Sequence, residues 1–203
     1  VHGNKQGGIV GNGLRVVDIS NPENPKEVSL YDSPGFAWDV EVRDGYAYLA
    51  DETSLRIISI IDPNNPNEVS FYETRSARDV AVSGDNAYVA DIEYGLRVVN
   101  IAAPAHPVEI GSYYPVGSIV SVMVVGNYAY VTDTARYLRV INISVPSHPN
   151  EVGNFYTINL PYGVAVSENF AYVTLRSHGL IILRYTGEPL IYSMYMPVVL
   201  SNR

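Results

Sequence analysis

The sequence predicts an all-β fold, a β-propeller of four-stranded antiparallel blades with about five units of about 41 residues, the first and last degenerate. Three observations carry that expectation. A leucine opens an apolar segment at Leu14, Leu55, Leu96, Leu138 and Leu180, in steps of 41, 41, 42 and 42. Self-similarity at a fixed period is the mark of a repeat architecture. Each period holds four short runs rich in Val, Ile and Tyr, separated by Gly, Pro, Asn and Asp, which is the composition of strands and their turns. Sustained helical spacing of apolar residues is absent, so helices are minor or missing.

Within a unit the first strand is a Val-x-Val run: Val40 and Val42, Val80 and Val82, Val122 and Val124, Val164 and Val166. The second carries an Ala-Tyr pair at Ala47-Tyr48, Ala87-Tyr88, Ala129-Tyr130 and Ala171-Tyr172. The third opens on the repeated leucine, as in LRVVDIS and LRVVNIA. Then comes a proline pair: Pro22 and Pro25, Pro63 and Pro66, Pro104 and Pro107, Pro146 and Pro149. Proline has no amide to donate, so these pairs mark the loop between the third and fourth strands. The fourth strand holds an acid (Glu27, Glu68, Glu109, Glu151) and, four residues on, an aromatic (Tyr31, Tyr72, Tyr113, Phe155). Such units in tandem fit blades about a common axis, an arrangement that protects all but short sheet edges.

The ends depart from the pattern. Residues 1–13 lack the first two strand signals of a unit. The last unit has its first three strands to about Tyr185, with Leu175 where the others have Asp51, Asp91 and Asp133. Residues 1–187 are assigned to the propeller and 188–203 to a tail. In that tail Leu190, Tyr192, Met194 and Met196 alternate as a last outer strand would. Two readings stand: a closed five-bladed ring, or part of a larger one.

The segments GNYAYVTD from Gly126, LRVVDIS from Leu14 and NPENPKEV from Asn21 closely resemble the LVIVD repeat, over roughly residues 9–187. That resemblance implies a β-propeller and a bacterial or archaeal protein that is secreted or displayed at the cell surface. It implies no catalytic motif.

Composition narrows the function. Lys+Arg is 13 against Asp+Glu 21, a formal net charge of −8. Nucleic-acid binding needs clustered positive charge, so nucleic acid is not an expected partner. The chain has no cysteine, which removes disulfides, thiol catalysis and Cys-ligated zinc. No apolar run is long enough to span a bilayer.

Asp51, Asp91 and Asp133, at the end of the second strands, read as caps of the following turn. The alternative, a ring of calcium ligands, lacks a second acid at ligand spacing. Asp39 and Asp79 open two successive first strands, where the next units have Ser121 and Gly163. They read as ligands of backbone amides, with an acid–base pair as the alternative. His106 and His148 hold equivalent places in the proline loops, and no zinc-site spacing involves any histidine. Asn142-Ile143-Ser144 is a formal glycosylation sequon on a strand, read as coincidence. No cofactor and no metal are expected.

The residues that break the repeat are the better guide, because function sits in variable loops on one face of a repeat protein. The position before the polar start of each first strand reads Trp38, Arg78, Val120 and Tyr162, with Phe36 nearby. The loops between second and third strands hold Tyr94, Arg136, Tyr137, Arg176 and His178. The ligand-binding set expected is Phe36, Trp38, Arg78, Tyr94, Arg136, Tyr137, Tyr162 and His178. The expected function is a monomeric, non-catalytic extracellular module contacting a glycan or protein through this face. The alternatives are a hydrolase- or lyase-type enzyme using Asp39, Asp79 and His178 at the axial mouth, and a purely structural segment of a longer surface protein.

Overall fold

A computed structural model describes residues 13–184; the expectation for the tail at 188–203 falls outside the described residues. All regular structure is β. The first unit contributes two strands, β1 (Gly13–Asp18) and β2 (Lys26–Asp32). Next come β3 (Asp39–Arg43), β4 (Tyr46–Ala50), β5 (Glu52–Ser59) and β6 (Asn67–Ser83). The chain continues through β7 (Asn86–Asp91), β8 (Gly95–Asn100) and β9 (Val108–Tyr113). The fourth unit is β10 (Ile119–Val125), β11 (Tyr128–Asp133), β12 (Tyr137–Asn142) and β13 (Asn150–Tyr156). The last is β14 (Pro161–Ser167), β15 (Phe170–Leu175) and β16 (Gly179–Arg184). Each sheet is an antiparallel meander in chain order, and among the described residues no strand of the first sheet pairs with one of the last. No helix is long and apolar enough to cross a membrane among the described residues.

One junction differs from the sequence expectation of a loop. β6 runs without interruption from Asn67 to Ser83, pairing with β5 through Ala77 and with β7 from Ala77 onward. It is the outer strand of one blade and the inner strand of the next. The reason is local: the segment ETRSA at 73–77 has no Gly or Pro, whereas the other junctions carry SPG, PVG and NLP. Nothing there breaks an extended backbone.

The proline loops close as the sequence demands. The amides of Asn24, Asn65, His106 and His148 donate to the carbonyls of Asn21, Asp62, Ala103 and Val145. Each is a β-turn with proline at its second position, where its fixed φ is pre-set. His106 and His148 are therefore turn residues. Asn142 Oδ1 accepts from the Ser144 amide at 2.8–2.9 Å as Asp18 Oδ1 does from Ser20, so the sequon residue has a structural task.

The core lies between blades. Tyr48, Ala50, Leu55 and Ile57 of one blade pack against Ala77, Val80, Val89 and Val99 of the next. Tyr88, Ala90, Leu96 and Val98 in turn meet Ile119, Val122, Val131 and Ile141. The second strand of a blade is covered on both faces, so its residues are buried consecutively rather than alternately. That is why this strand reads as a continuous apolar run.

A polar latch joins successive blades. The hydroxyls of Tyr31, Tyr72 and Tyr113 donate to Glu68, Glu109 and Glu151 of the following blade. Each glutamate is also held by the arginine of its own third strand: Arg56, Arg97 and Arg139. Burial, then the adjoining glutamates, push the Tyr31 and Tyr113 hydroxyls up to about 12, so they remain donors throughout the physiological range.

Asp51 and Asp133 are fully buried and do cap turns. Asp51 Oδ1 accepts from the Ser54 hydroxyl, and Asp133 Oδ1 from the Tyr137 amide at 2.9 Å. Their second oxygens bind the Nε of Arg56 and Arg139. Burial opposes both guanidinium charges, but the paired acids outweigh it and raise the arginines above their ordinary range. Asp91 caps differently, taking the amides of Glu93, Tyr94 and Arg75.

Candidate functional site

The first strand of each later blade begins with an irregularity. Pairing skips a residue between Ala77 and Asp79, between Ile119 and Ser121, and between Pro161 and Gly163. The skipped residues are Arg78, Val120 and Tyr162. A bulge leaves one residue out of the ladder and re-aims its side chain. Trp38 holds the equivalent place just before β3, its amide donating to the Ala50 carbonyl at 2.8 Å. These four positions open on one recess of about 530 Å³ at the axial mouth, together with Asp39, Asp79, Ser121 and Gly163, which follow them. Ile92, Thr134 and Arg176, each the residue after a second strand, complete the wall. The volume lies in the range of small-ligand sites.

Trp38 is 43% exposed and Tyr162 59%, so both present aromatic surface at the mouth. The Arg78 guanidinium lies over the Trp38 ring at 3.6 Å from its centre, a cation–π contact bridging two blades.

The structure thus gathers Trp38, Arg78 and Tyr162 of the expected set. It places the others outside the recess. Phe36 is exposed on the preceding loop. The Tyr94 ring lies between the guanidinium groups of Arg75 and Arg97. Arg136 Nη1 donates to the Ile158 carbonyl at 3.3 Å, and Tyr137 packs edge-on against Tyr156. His178 is on an exposed turn with its Nδ1 2.8 Å from the Ser177 hydroxyl. Three of the lining residues beyond the expected set, Ser121, Thr134 and Arg176, carry a legible signal: they sit at the unit positions of Asp79, Ile92 and Thr134 respectively, shifted by one repeat.

Asp39 and Asp79 meet in this recess. Asp39 Oδ2 accepts from the Val80 amide at 3.1 Å, and Asp79 Oδ2 from the Val122 amide at 3.0 Å. Each carboxyl therefore stitches its own blade to the next, as expected of a ligand of backbone amides. Burial, and then hydrogen bonding to the neighbouring Asp39 carboxylate, push Asp79 up to about 7. Burial and the charge of Asp39 likewise raise Glu41, two residues along β3.

The folded chain consequently holds a proton that the unfolded chain releases near the ordinary aspartate value of 3.8. Stability from this pair is complete at low pH and is lost as pH rises through about 7. Partial solvation reduces the effect, to about 1–2 kcal/mol. The melting temperature is expected to fall by a few degrees between pH 5 and pH 8, and Asp79→Asn is expected to flatten that fall. An equal slope in wild type and variant would assign the titration elsewhere.

Among known proteins, the LVIVD repeat matches at residues 8–33, 34–74, 75–114, 116–157 and 162–183. A functionally unknown protein from Desulfotomaculum acetoxidans DSM 771 superposes with a TM-score of 0.73 at 16% identity, covering 89% of this chain and 61% of that one. The chain thus spans about three-fifths of that protein's length. The computationally designed Ika4 protein superposes with a TM-score of 0.64 at 8% identity, over 77% of this chain and 95% of its own. At these identities the likeness is one of fold. No curated protein has a similar sequence. With its five repeat matches spread across the chain and blades to accompany them, the protein belongs to the LVIVD repeat family.

Proposed function

We propose that the protein is a non-catalytic binding module, working outside the cell or at its surface, whose ligand enters the axial recess. The observation that supports this most is the contrast between scaffold and recess. The blade cores and latches repeat from unit to unit, while the bulge positions that open on the recess read Trp, Arg, Val and Tyr. Packing does not dictate those residues, and aromatic and arginine side chains are the usual anchors of binding energy. Of the two expected partner classes, the size of the recess and its exposed rings, which suit a sugar face, support a glycan over a protein.

Trp38 is the only tryptophan and reports on the site directly. Its fluorescence is expected to be quenched by acrylamide in the free protein. The emission is expected to shift, and the quenching to fall, with the active members of a glycan and peptide panel. Emission unchanged by every member, with no heat of binding, would remove the recess as the binding site.

A second reading is favoured by one observation, the placing of Asp39 and Asp79 together in the recess, where burial and Asp39 push Asp79 up to about 7. Such a pair provides an acid and a base at neutral pH. His178, the third residue that an acid–base enzyme was expected to use, stands outside the recess. Turnover of a bound glycan, lost in Asp79→Asn, would favour this reading over simple binding.

A further inference from the structure

The recess contains two guanidinium groups that form no ion pair among the described residues. Arg15, Arg43, Arg56, Arg75, Arg97 and Arg139 each form an ion pair with a carboxylate. Arg78 and Arg176, which both line the recess, have no such partner among the described residues. The Nε of Arg78 is also buried without an acceptor. Arg136 and Arg184 lack a carboxylate partner as well, so what sets Arg78 and Arg176 apart is that both line the same recess. A buried donor without an acceptor is costly, and an anion seated against it removes that cost. The planar guanidinium is suited to a carboxylate, which it grips with two parallel bonds. Trp38 already holds Arg78 in place by stacking.

The rest of the lining narrows the ligand further. Asp39 and Asp79 both line the recess, and Asp79, raised by burial and by Asp39, keeps a proton in part near neutral pH, so the two carboxyls donate as well as accept, as neighbouring sugar hydroxyls require. Tyr162 and Trp38 offer exposed ring surface for a sugar face. An acidic peptide would use the arginines but has no hydroxyl pair for the carboxyls. We infer that the recess binds a carboxylate-bearing sugar, a hexuronate, with its carboxylate on Arg78 and Arg176 and its hydroxyls on Asp39 and Asp79. This inference rests on the binding-module reading and names the ligand class of the same site.

The charged groups facing the ligand are Arg78, Arg176, Asp39 and Asp79, with Glu41 beside Asp39. Ionising Asp79 places another negative charge near the bound carboxylate. Affinity for the acidic sugar is therefore expected to fall as pH rises from 6 to 8.

The test is a titration of Trp38 emission, with calorimetry alongside, using three probes: a hexuronate disaccharide, its carboxyl-reduced neutral counterpart, and a diglutamate peptide. The hexuronate is expected to bind about 10-fold or more tightly than the neutral sugar, the scale of one charge-assisted contact. Arg78→Gln and Arg176→Gln are each expected to erase that preference. The cation–π partner of Trp38 is Arg78, so the Arg176 variant keeps that stack while it removes charge, and melting curves check that both variants fold. Equal binding of the acidic and neutral sugars would overturn the ligand class while leaving the binding module standing. Binding of diglutamate as tightly as the hexuronate would overturn the sugar. Loss of every interaction across these probes and the wider panel would overturn the binding module itself.

Discussion

Arg139→Met is expected to destabilise the fold by about 3–5 kcal/mol, read as a drop of about 10 °C in melting temperature. Arg139 Nε is 2.5 Å from Asp133 Oδ2, and its Nη1 is 2.9 Å from Glu151 Oε2. Asp133 has no exposed surface. Removing the arginine leaves a buried carboxylate with only the Tyr137 amide to hold it, and an uncompensated buried charge costs far more than the net worth of the pair. The last unit shows how the cost is avoided. It has Leu175 in the place of the aspartate and Ile181 in the place of the arginine, and Leu175 packs in an apolar cluster with Leu138 and Val173. The double variant Asp133→Leu/Arg139→Ile is therefore expected to recover most of the stability lost by Arg139→Met. Glu151 keeps Tyr113 and Asn154 as partners in that variant. Thermal melts of Asp133→Leu, Arg139→Ile and the double variant close the cycle and give the coupling. A double variant no more stable than the single would show that the pair is not what makes the arginine matter.

Gly111→Ser is expected to destabilise by about 1–3 kcal/mol, although the first two units carry serine at this position and only the next, at Gly153, shares the glycine. The equivalents Ser29 and Ser70 each donate a hydroxyl to the next blade, to the carbonyl of Pro63 at 2.6 Å and of Pro104 at 2.5 Å. Copying the first two units would install the same bond at Gly111. The backbone at this junction comes closer. A Cβ on Gly111 would stand 2.3 Å from the Pro146 carbonyl oxygen and 3.0 Å from backbone atoms of Ser147. Those atoms belong to the main chain of a turn closed by its own hydrogen bond from His148 to Val145, so they cannot swing aside as a side-chain tip could. Gly111 does not have a left-handed φ, which leaves space alone as the cause. An unchanged or raised melting temperature for Gly111→Ser would mean that the blades separate at little cost and that the serine of the first two units fits here too.

Both results bear on what a repeat sequence discloses. The period, the strand content and the proline loops follow from local chemistry, and each was legible. Val-x-Val and Ala-Tyr runs form strands, prolines close turns, and the order recurs. The capping task of Asp51 and Asp133 was legible for the same reason, since a short acid before a turn bonds the turn's own donors. Their arginine partners were less plain, but the signal existed: aspartate and arginine disappear together in the last unit, at Leu175 and Ile181. The strand that runs unbroken from Asn67 to Ser83 also had a local cause, the lack of Gly and Pro in ETRSA, which the surrounding repeat obscured.

The recess was partly legible. Departure from the repeat at Trp38, Arg78 and Tyr162 is a sequence property, and the same test chose Tyr94, Arg136, Tyr137 and His178, whose side chains lie elsewhere. Variation within a unit says that a position is free of packing, without saying where its side chain points. That direction comes from a bulge in strand pairing at Arg78 and Tyr162, which depends on the register between strands and not on the identity of the bulged residue.

By itself, then, the sequence determined the unit, its strands, its turns and the positions released from packing, because all of these rest on contacts within about 41 residues. Only the tertiary structure decided what happens between units. Asp39 and Asp79 are 40 positions apart in the chain, and each has an ordinary reason to bind a backbone amide. The Asp79 carboxyl is raised because blade packing sets one first strand beside the next, which buries it and brings Asp39 against it. Arg78 and Arg176 come to line one recess by the same stacking of blades, since charge felt across a gap depends on distance and burial, which the chain's linear order does not specify.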